Sequence, residues 1–308
     1  MRVIQSLFFR DNNIDTDLLK LYLLSALSIQ KYHKISIYVD DKAEKFYNKF
    51  FSTHEIIKAS FKDTSYRNKY LLEEMLKYND YFAINKFIGY DLETNKNFVG
   101  LDTDIVLFRP LSTFESKDGL LYQDESKFNY YVYEYFDYIK NNFTITHSHE
   151  RLGMYNAGVI GLNKELMYSY LEHLDVFLDL NKSKVLDDKY IRVRVLYYIE
   201  QIILTVLGNN YKFIWDDVYN RAKVYHLKDF YLRGLFSEGK DKTVEEYDEL
   251  YYHSLLKGYS LGLVHLVGHF KHEKFIKEQV DFYFKSIFPY EYAYFNKYID
   301  VIKKEMLE

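Results

Sequence analysis

The chain has 308 residues, of which 48% are hydrophobic and 28% charged, and its formal net charge is −4. A chain of this length buries about three quarters of its unfolded surface, so no disulfide is needed; the absence of cysteine also excludes thiolate metal sites and cysteine nucleophiles. No long block of Lys and Arg accompanies the acidic balance, so nucleic acid is not an expected partner.

The first third of the chain alternates strand-like and helix-like segments, a pattern typical of βαβ units and a mainly parallel sheet. Strands are predicted over residues 2–9, 34–39 and 55–59, and helical segments over 16–32, 42–50 and 66–90. The apolar start is too short for a signal peptide, and charged residues interrupt the Leu-rich segment after it. We therefore expect a soluble protein.

The remaining elements continue the same alternation to the C-terminus. Strands are predicted over 98–108, 120–123, 155–162, 211–214, 223–227 and 260–266. Helices are predicted over 128–140, 164–180 and 189–207, before the last strand, and on either side of Pro289. The sequence contains no repeat and no shift in composition, which favours one compact body.

Two carboxylates interrupt the apolar run FVGLDTDIVLF, which otherwise has the composition of a buried strand. On an extended chain, Asp102 and Asp104 point to the same face, where a Mg²⁺ or Mn²⁺ ion would offset their burial and mutual repulsion. The alternative is a polar turn between two strands, with both acids solvated. Asp40 and Asp41 follow another strand, so both acidic pairs are expected at one sheet edge, where ligands bind open α/β sheets.

A second polar group ends the strand predicted near the C-terminus, in the sequence HLVGHFK. His265 offers an imidazole that could complete a metal site, although a single His in such a position is more often a packed or hydrogen-bonded residue. Gly268 lets the backbone approach a ligand closely, and Lys271 can reach a diphosphate as a point charge.

Together these motifs resemble those of GT-A fold glycosyltransferases, most closely family 8, the glycogenin and lipopolysaccharide galactosyltransferase group. In that family an apolar strand runs into Asp-x-Asp, whose acids bind Mn²⁺, and a late His-x-x-Gly-x-x-Lys supplies the third ligand and a diphosphate contact. The resemblance assigns Asp102, Asp104 and His265 to the metal and Gly268 and Lys271 to the donor.

Two further stretches resemble the same family. Asn156 lies in YNAGVIGL, similar to the strand that faces the donor sugar, and Glu200-Gln201 is similar to an Asp-Gln pair beside that sugar. The resemblance therefore assigns Asn156, Glu200 and Gln201 to catalysis. From the sequence alone, Asn156 could instead be a packed strand-end residue, and Glu200 a solvated residue on a helix.

The remaining candidates concern the nucleotide. Asp40 or Asp41 is expected to contact the base or ribose, and residues 6–11, including Phe9, to line the same pocket. Lys86 occurs in YFAINKFIGY, similar to a segment of uncharacterised bacterial relatives in which a Lys precedes the Asp-x-Asp strand. Lys86 and Arg67 are candidate contacts for the donor phosphates, although most such residues are surface charges.

The resemblance implies an α/β GT-A fold, with a mixed, mainly parallel sheet flanked by helices, a catalytic domain over 1–272 and a helical extension over 273–308. It implies a Mn²⁺- or Mg²⁺-dependent hexosyltransferase-like enzyme that moves sugar, with retention, from a UDP-sugar to a glycan or lipid-linked glycan, as in bacterial surface polysaccharide synthesis. We expect a cytoplasmic location with at most peripheral attachment to the inner face of the membrane. The alternatives are a nucleotide-sugar hydrolase or nucleotidyltransferase, and a non-catalytic module that binds nucleotide sugar or glycan.

Overall fold

The computed structural model describes residues 2–9, 14–93, 97–111, 119–124, 130–146, 155–210, 214–217, 224–226, 263–266, 271–272 and 274–308. These residues form a mixed seven-stranded sheet with a helical layer on each face, and a smaller three-stranded sheet.

The N-terminal elements alternate as the sequence predicted. They are β1 (Arg2–Leu7), α1 (Thr16–Gln30), β2 (Lys34–Val39), α2 (Asp41–Tyr47), β3 (Ile56–Lys58), α3 (Lys69–Met75) and α4 (Lys86–Leu92). A short 3₁₀ turn over Phe61–Asp63 precedes the segment predicted as helical over 66–90. A second one, over Asn79–Tyr81, interrupts that segment between α3 and α4. Asp15 is the N-cap of helix α1, and its side chain accepts hydrogen bonds from the main-chain N–H groups of Asp17 and Leu18.

The segment predicted as one strand over 98–108 forms two strands in different sheets. β4 (Asn97–Leu101) belongs to the large sheet and β5 (Ile105–Leu107) to the small one. A turn joins them, closed by a hydrogen bond from Ile105 N to Asp102 O (3.2 Å). The apolar residues on both sides of the turn are buried, as predicted. They do not form one strand because β4 pairs with β1 and β7, whereas β5 pairs with β10.

The second half of the chain supplies five more strands, which complete the two sheets, and the remaining helices. The elements are β6 (Gly119–Asp124), α5 (Tyr130–Asn142), β7 (Tyr155–Asn163), α6 (Lys164–Asn181), α7 (Lys189–Tyr197), α8 (Ile203–Asn210), β8 (Ile214–Asp217), β9 (Val224–His226), β10 (Leu263–His265), α9 (Lys274–Ile287) and α10 (Pro289–Leu307). The helix predicted over 189–207 contains a π-helical segment, Tyr198–Ile202, between α7 and α8. The helix predicted before β10 lies outside the described residues.

The large sheet has the strand order β3-β2-β1-β4-β7-β6-β8, and the small sheet the order β5-β10-β9. Four neighbouring pairs of the large sheet are parallel, and only the two pairs made by β7 are antiparallel. The predicted fold class, a mixed and mainly parallel sheet flanked by helices with a helical C-terminus, is therefore confirmed.

The core lies in two layers, one on each face of the large sheet. Val3 and Leu7 of β1 point into the layer that contains α1, α2, α9 and α10, whereas Ile4 points into the layer that contains α4, α6 and α8. The last two helices contribute Phe284, Phe295 and other buried side chains to the first layer. Among the described residues, no helix has the length and apolar character needed to cross a bilayer.

Candidate functional site

The turn between β4 and β5 brings the two acids to the carboxyl edge of the large sheet. Asp102 N donates to Gly158 O of β7 (2.9 Å), and Leu266 N donates to Asp104 O (3.0 Å). His265 pairs with Ile105 in the β5–β10 register, so the small sheet places its ring next to Asp104. The acids are therefore brought together by a turn between two sheets, and the expectation of an extended chain at this point was wrong.

The three predicted metal ligands converge in the structure. Asp102, Asp104 and His265 each offer one ligand atom, and these atoms lie within 4.8 Å of one another. His265 Nε2 is 3.3 Å from Asp104 Oδ1 and 3.9 Å from Asp102 Oδ2. Asp104 and His265 are buried, whereas the side chain of Asp102 is 31% exposed. The alternative in which both acids are solvated is thus excluded for Asp104.

Each carboxylate uses its second oxygen to contact a lysine. Lys86 Nζ lies 2.8 Å from Asp102 Oδ1, and Lys271 Nζ lies 2.9 Å from Asp104 Oδ2. The other oxygen of each carboxylate, Asp102 Oδ2 and Asp104 Oδ1, faces His265 Nε2. Asp104 Oδ1 makes no hydrogen bond in the described part of the chain despite its burial. Two carboxylate oxygens and an imidazole nitrogen are suitable ligands for Mn²⁺ or Mg²⁺, so the residues present fit such an ion.

The lysines determine the charge state of this group. Burial alone would raise the pKa of Asp104, but Lys271 and His265 lower it, and the carboxyl pKa lies well below its ordinary value. Burial alone would lower the pKa of Lys271, but Asp104 raises it above the usual range for lysine. Both side chains are therefore charged at neutral pH, and the carboxylate is already in the form that binds a cation.

Lys86 is buried at the start of α4 and joins the turn that carries Asp102 and Asp104 to a third acid. Its Nζ contacts Asp102 and Glu200 and donates to the main-chain O of Ala157 (3.1 Å). Burial acts to lower the pKa of Lys86, but the two carboxylates raise it well above its ordinary value. In the structure Lys86 is thus a shared counter-ion, and its contact with donor phosphates stays a prediction.

Glu200 and Gln201 lie on the π-helical segment and are both buried. Tyr170 of α6 donates its hydroxyl hydrogen to Glu200 O (2.6 Å), which anchors the main chain at this point. Gln201 Oε1 is buried without a hydrogen-bond partner in the described residues. Glu200 is therefore not a solvated helix residue, and π-helical segments often occur at functional sites. Catalytic roles for the pair remain predictions.

The acids after β2 have structural partners. Asp40 caps α2: its two carboxylate oxygens accept hydrogen bonds from Ala43 N and Phe9 N, each at 2.8 Å. Burial raises the pKa of Asp40 despite these bonds. Asp41 pairs with Lys58 at an exposed position. Asp40 thus holds the main chain of Phe9 just beyond the carboxyl end of β1. Contacts of Asp40, Asp41 and Phe9 with a nucleotide stay predictions.

Other candidates lie elsewhere or beyond the described part. Gly268 is outside the described residues, and Asn156 belongs to β7, although its side chain is not described. Arg67 pairs with Asp179 (3.4 Å) and borders a separate cavity of about 280 Å³, which none of the cluster's side chains lines. The structure does not bring Arg67 into the cluster.

The sequence reading missed the residues that support the cluster, notably Gln5 and Tyr170. Both are fully buried polar side chains within apolar segments. Gln5 lies between Val3 and Leu7 on one face of the predicted strand. A glutamine between two apolar residues of a buried face indicates that its amide has a buried hydrogen-bond partner.

No protein-family model matches the chain, and a search of curated proteins finds no similar sequence. Among solved structures, mouse xyloside xylosyltransferase 1 in its apo form is 12% identical, with a TM-score of 0.44, over 86% of this chain and 96% of that one. The galactosyltransferase LgtC, in complex with donor and acceptor sugar analogues, is 10% identical, with a TM-score of 0.42, over 87% of each chain.

The glycosyltransferase GlyE of Streptococcus pneumoniae TIGR4 is also similar, at 10% identity and a TM-score of 0.41. The match covers 87% of this chain but only 55% of GlyE, so this chain spans about half the length of that protein. Similarity at this level does not assign an activity to this chain. The chemistry has to be inferred from the site itself.

Proposed function

We propose that the chain is a metal-dependent glycosyltransferase that takes sugar from a nucleotide diphosphate sugar, most simply a UDP-sugar. The observation that carries this proposal is the cluster of Asp102, Asp104 and His265, in which each acid has a lysine on its outer oxygen. The proposed acceptor is a glycan or a lipid-linked glycan, and the proposed ion is Mn²⁺ or Mg²⁺.

The charges of the cluster suit a diphosphate donor. Three carboxylates, from Asp102, Asp104 and Glu200, lie close to two ammonium groups, from Lys86 and Lys271. A divalent cation bound by Asp102, Asp104 and His265 would supply Lewis-acid stabilisation of the leaving diphosphate. A hard cation held by few carboxylates usually completes its shell with substrate phosphates, so ion and donor are expected to bind together.

The chain's own residues have distinct proposed parts. Lys271, at the rim of the cluster, contacts the diphosphate and adds positive charge where negative charge develops. Lys86 contacts the Glu200 carboxylate and fixes its position. Glu200 and Gln201 lie beside the transferred sugar, where the carboxylate stabilises positive character at the anomeric carbon. The resemblance to family 8 implies retention, with the leaving phosphate able to assist on the same face, and retention is the outcome that we propose. Proton NMR of the product from an α-linked donor would test it. A β-linked product would contradict retention and make Glu200 a candidate base instead.

The organisation and location of the protein form part of the same proposal. Residues 1–272 are the catalytic domain and 273–308 a helical extension that packs on α1 and α2. We propose a cytoplasmic enzyme with at most peripheral membrane contact, acting in the synthesis of a bacterial surface polysaccharide.

A thermal-shift screen of nucleotide sugars, with Mn²⁺ or with EDTA, tests the activity class. Specific binding stabilises the folded state by mass action, so one or more donors should raise the Tm only when Mn²⁺ is present. Asp63→Ala, at an exposed acid outside the cluster, serves as the control variant and should respond as the wild type does. A response to no donor under either condition would contradict the proposal.

A further inference from the structure

Gln5 is a buried polar residue on a strand that is otherwise apolar on the same face. It is 1% exposed, and its neighbours along this face of β1 are Val3 and Leu7 in the first core layer. Burying an amide group is unfavourable unless it is hydrogen-bonded. The question is therefore what the Gln5 side chain bonds to.

The Gln5 amide makes two hydrogen bonds, and both lead to the turn that carries the metal-binding acids. Nε2 donates to Asp102 O at 3.0 Å and to Ser25 Oγ at 2.8 Å. Ser25 in turn donates its hydroxyl hydrogen to Ile105 O. Gln5 thus holds the Asp102 carbonyl at one end of the turn directly, and the Ile105 carbonyl at the other end through the Ser25 hydroxyl.

The turn and strand β5 after it are held by other contacts as well. Asp102 N donates to Gly158 O, and Leu107 N donates to Ser28 Oγ (2.9 Å), one helical turn beyond Ser25. Among these contacts, the Gln5 amide is the side-chain group that reaches the main chain of Asp102 itself. A rotation of the Asp102 peptide would move its carboxylate relative to Asp104, and cation sites tolerate only small changes in ligand distance.

We propose that Gln5 is a positioning residue for the metal site: its amide, anchored on Ser25, holds the Asp102 carbonyl and so sets the relative placement of the Asp102 and Asp104 carboxylates. Gln5 contacts neither carboxylate and is not a ligand. This inference rests on the proposed function, because it concerns the affinity of the same site for a divalent cation in the presence of a nucleoside diphosphate.

The test compares Mn²⁺ binding in the presence of UDP, by the EPR signal of free Mn²⁺, at a temperature where each variant is folded. Gln5→Met keeps the length of the side chain and removes the amide. Outer-shell partners of metal ligands typically contribute tenfold to a hundredfold in affinity, so Gln5→Met should weaken Mn²⁺ binding by about tenfold or more. Ser25→Ala, which removes only the anchor, should weaken it in the same direction by less.

Asn181→Leu is the matched control, since Asn181 is also a buried amide with three hydrogen bonds, to Thr144 and Phe177, outside the cluster. It should lower the Tm without changing Mn²⁺ affinity, which separates positioning from general loss of stability. Wild-type Mn²⁺ affinity in folded Gln5→Met would overturn this inference and leave the proposed function standing. If Gln5→Met does not fold, wild-type affinity in Ser25→Ala overturns it. If the wild type binds neither Mn²⁺ nor UDP, the proposed function fails as well.

Discussion

Replacing Lys86 with methionine should destabilise the fold because it leaves buried charge without a partner. The side chains of Lys86 and Glu200 are each 9% exposed, so Glu200 cannot regain water when the ammonium group is removed. Breaking a buried ion pair in this way costs about 3–5 kcal/mol. Asp102 is 31% exposed and can be rehydrated in part, so we expect a loss at the lower end, about 3 kcal/mol.

Urea unfolding followed by circular dichroism gives this free energy of unfolding directly. Lys20→Met is the matched control, since Lys20 pairs with Asp281 at 2.5 Å in a more exposed setting, where such pairs contribute about 1 kcal/mol or less. Adding Glu200→Gln to Lys86→Met should recover part of the loss, because the uncompensated charge is removed. A loss for Lys86→Met no larger than that for Lys20→Met would refute this reasoning.

Three further outcomes are expected. Lys271→Ala should weaken UDP binding by about 1.5–3 kcal/mol, the scale of a charge-assisted hydrogen bond, and leave uridine binding unchanged in calorimetry; equal losses would make Lys271 structural. Glu200→Gln should lower turnover far more than donor affinity, and the reverse pattern would remove Glu200 from catalysis. Burial lowers the pKa of His33, whose Nε2 accepts from Leu111 N (3.0 Å), so its contribution to stability is present above its unfolded pKa of about 6.5 and is lost as the pH falls below it. His33→Gln, which keeps an acceptor, should flatten the fall of unfolding free energy as the pH decreases below about 6.5. An unchanged slope would contradict this assignment.

The alternation of elements was predictable because strand and helix periodicities are local properties of the sequence. β2 was predicted over its observed range, and the two C-terminal helices divide at Pro289, where proline suits the first turn of a helix. The break after β4 was not predictable. Leu101 and Ile105 are equally apolar, and only the pairing of β5 with the distant β10 shows that the chain leaves the large sheet there.

The convergence of Asp102, Asp104 and His265 was predictable for a different reason. Two acids within an apolar run require neutralisation, and the motif at His265 offered a candidate third ligand. The partners of these acids could not be predicted in the same way. Lys86 and Lys271 are ordinary lysines in sequence, and their roles depend on contacts with residues 16 and 167 positions away. The bond that anchors the π-helical segment, from the Tyr170 hydroxyl to Glu200 O, likewise joins residues 30 positions apart.

Calorimetry of UDP binding, in Mn²⁺ and in EDTA, tests the central claim most directly. The wild type should bind UDP with Mn²⁺ and lose that binding in EDTA, because the phosphates complete a site begun by Asp102, Asp104 and His265. Asp104→Ala and His265→Ala should each abolish the Mn²⁺-dependent part, whereas Asp63→Ala should not change it. Equal UDP affinity in Mn²⁺ and EDTA, or unchanged binding in both site variants, would contradict the metal-dependent nucleotide site.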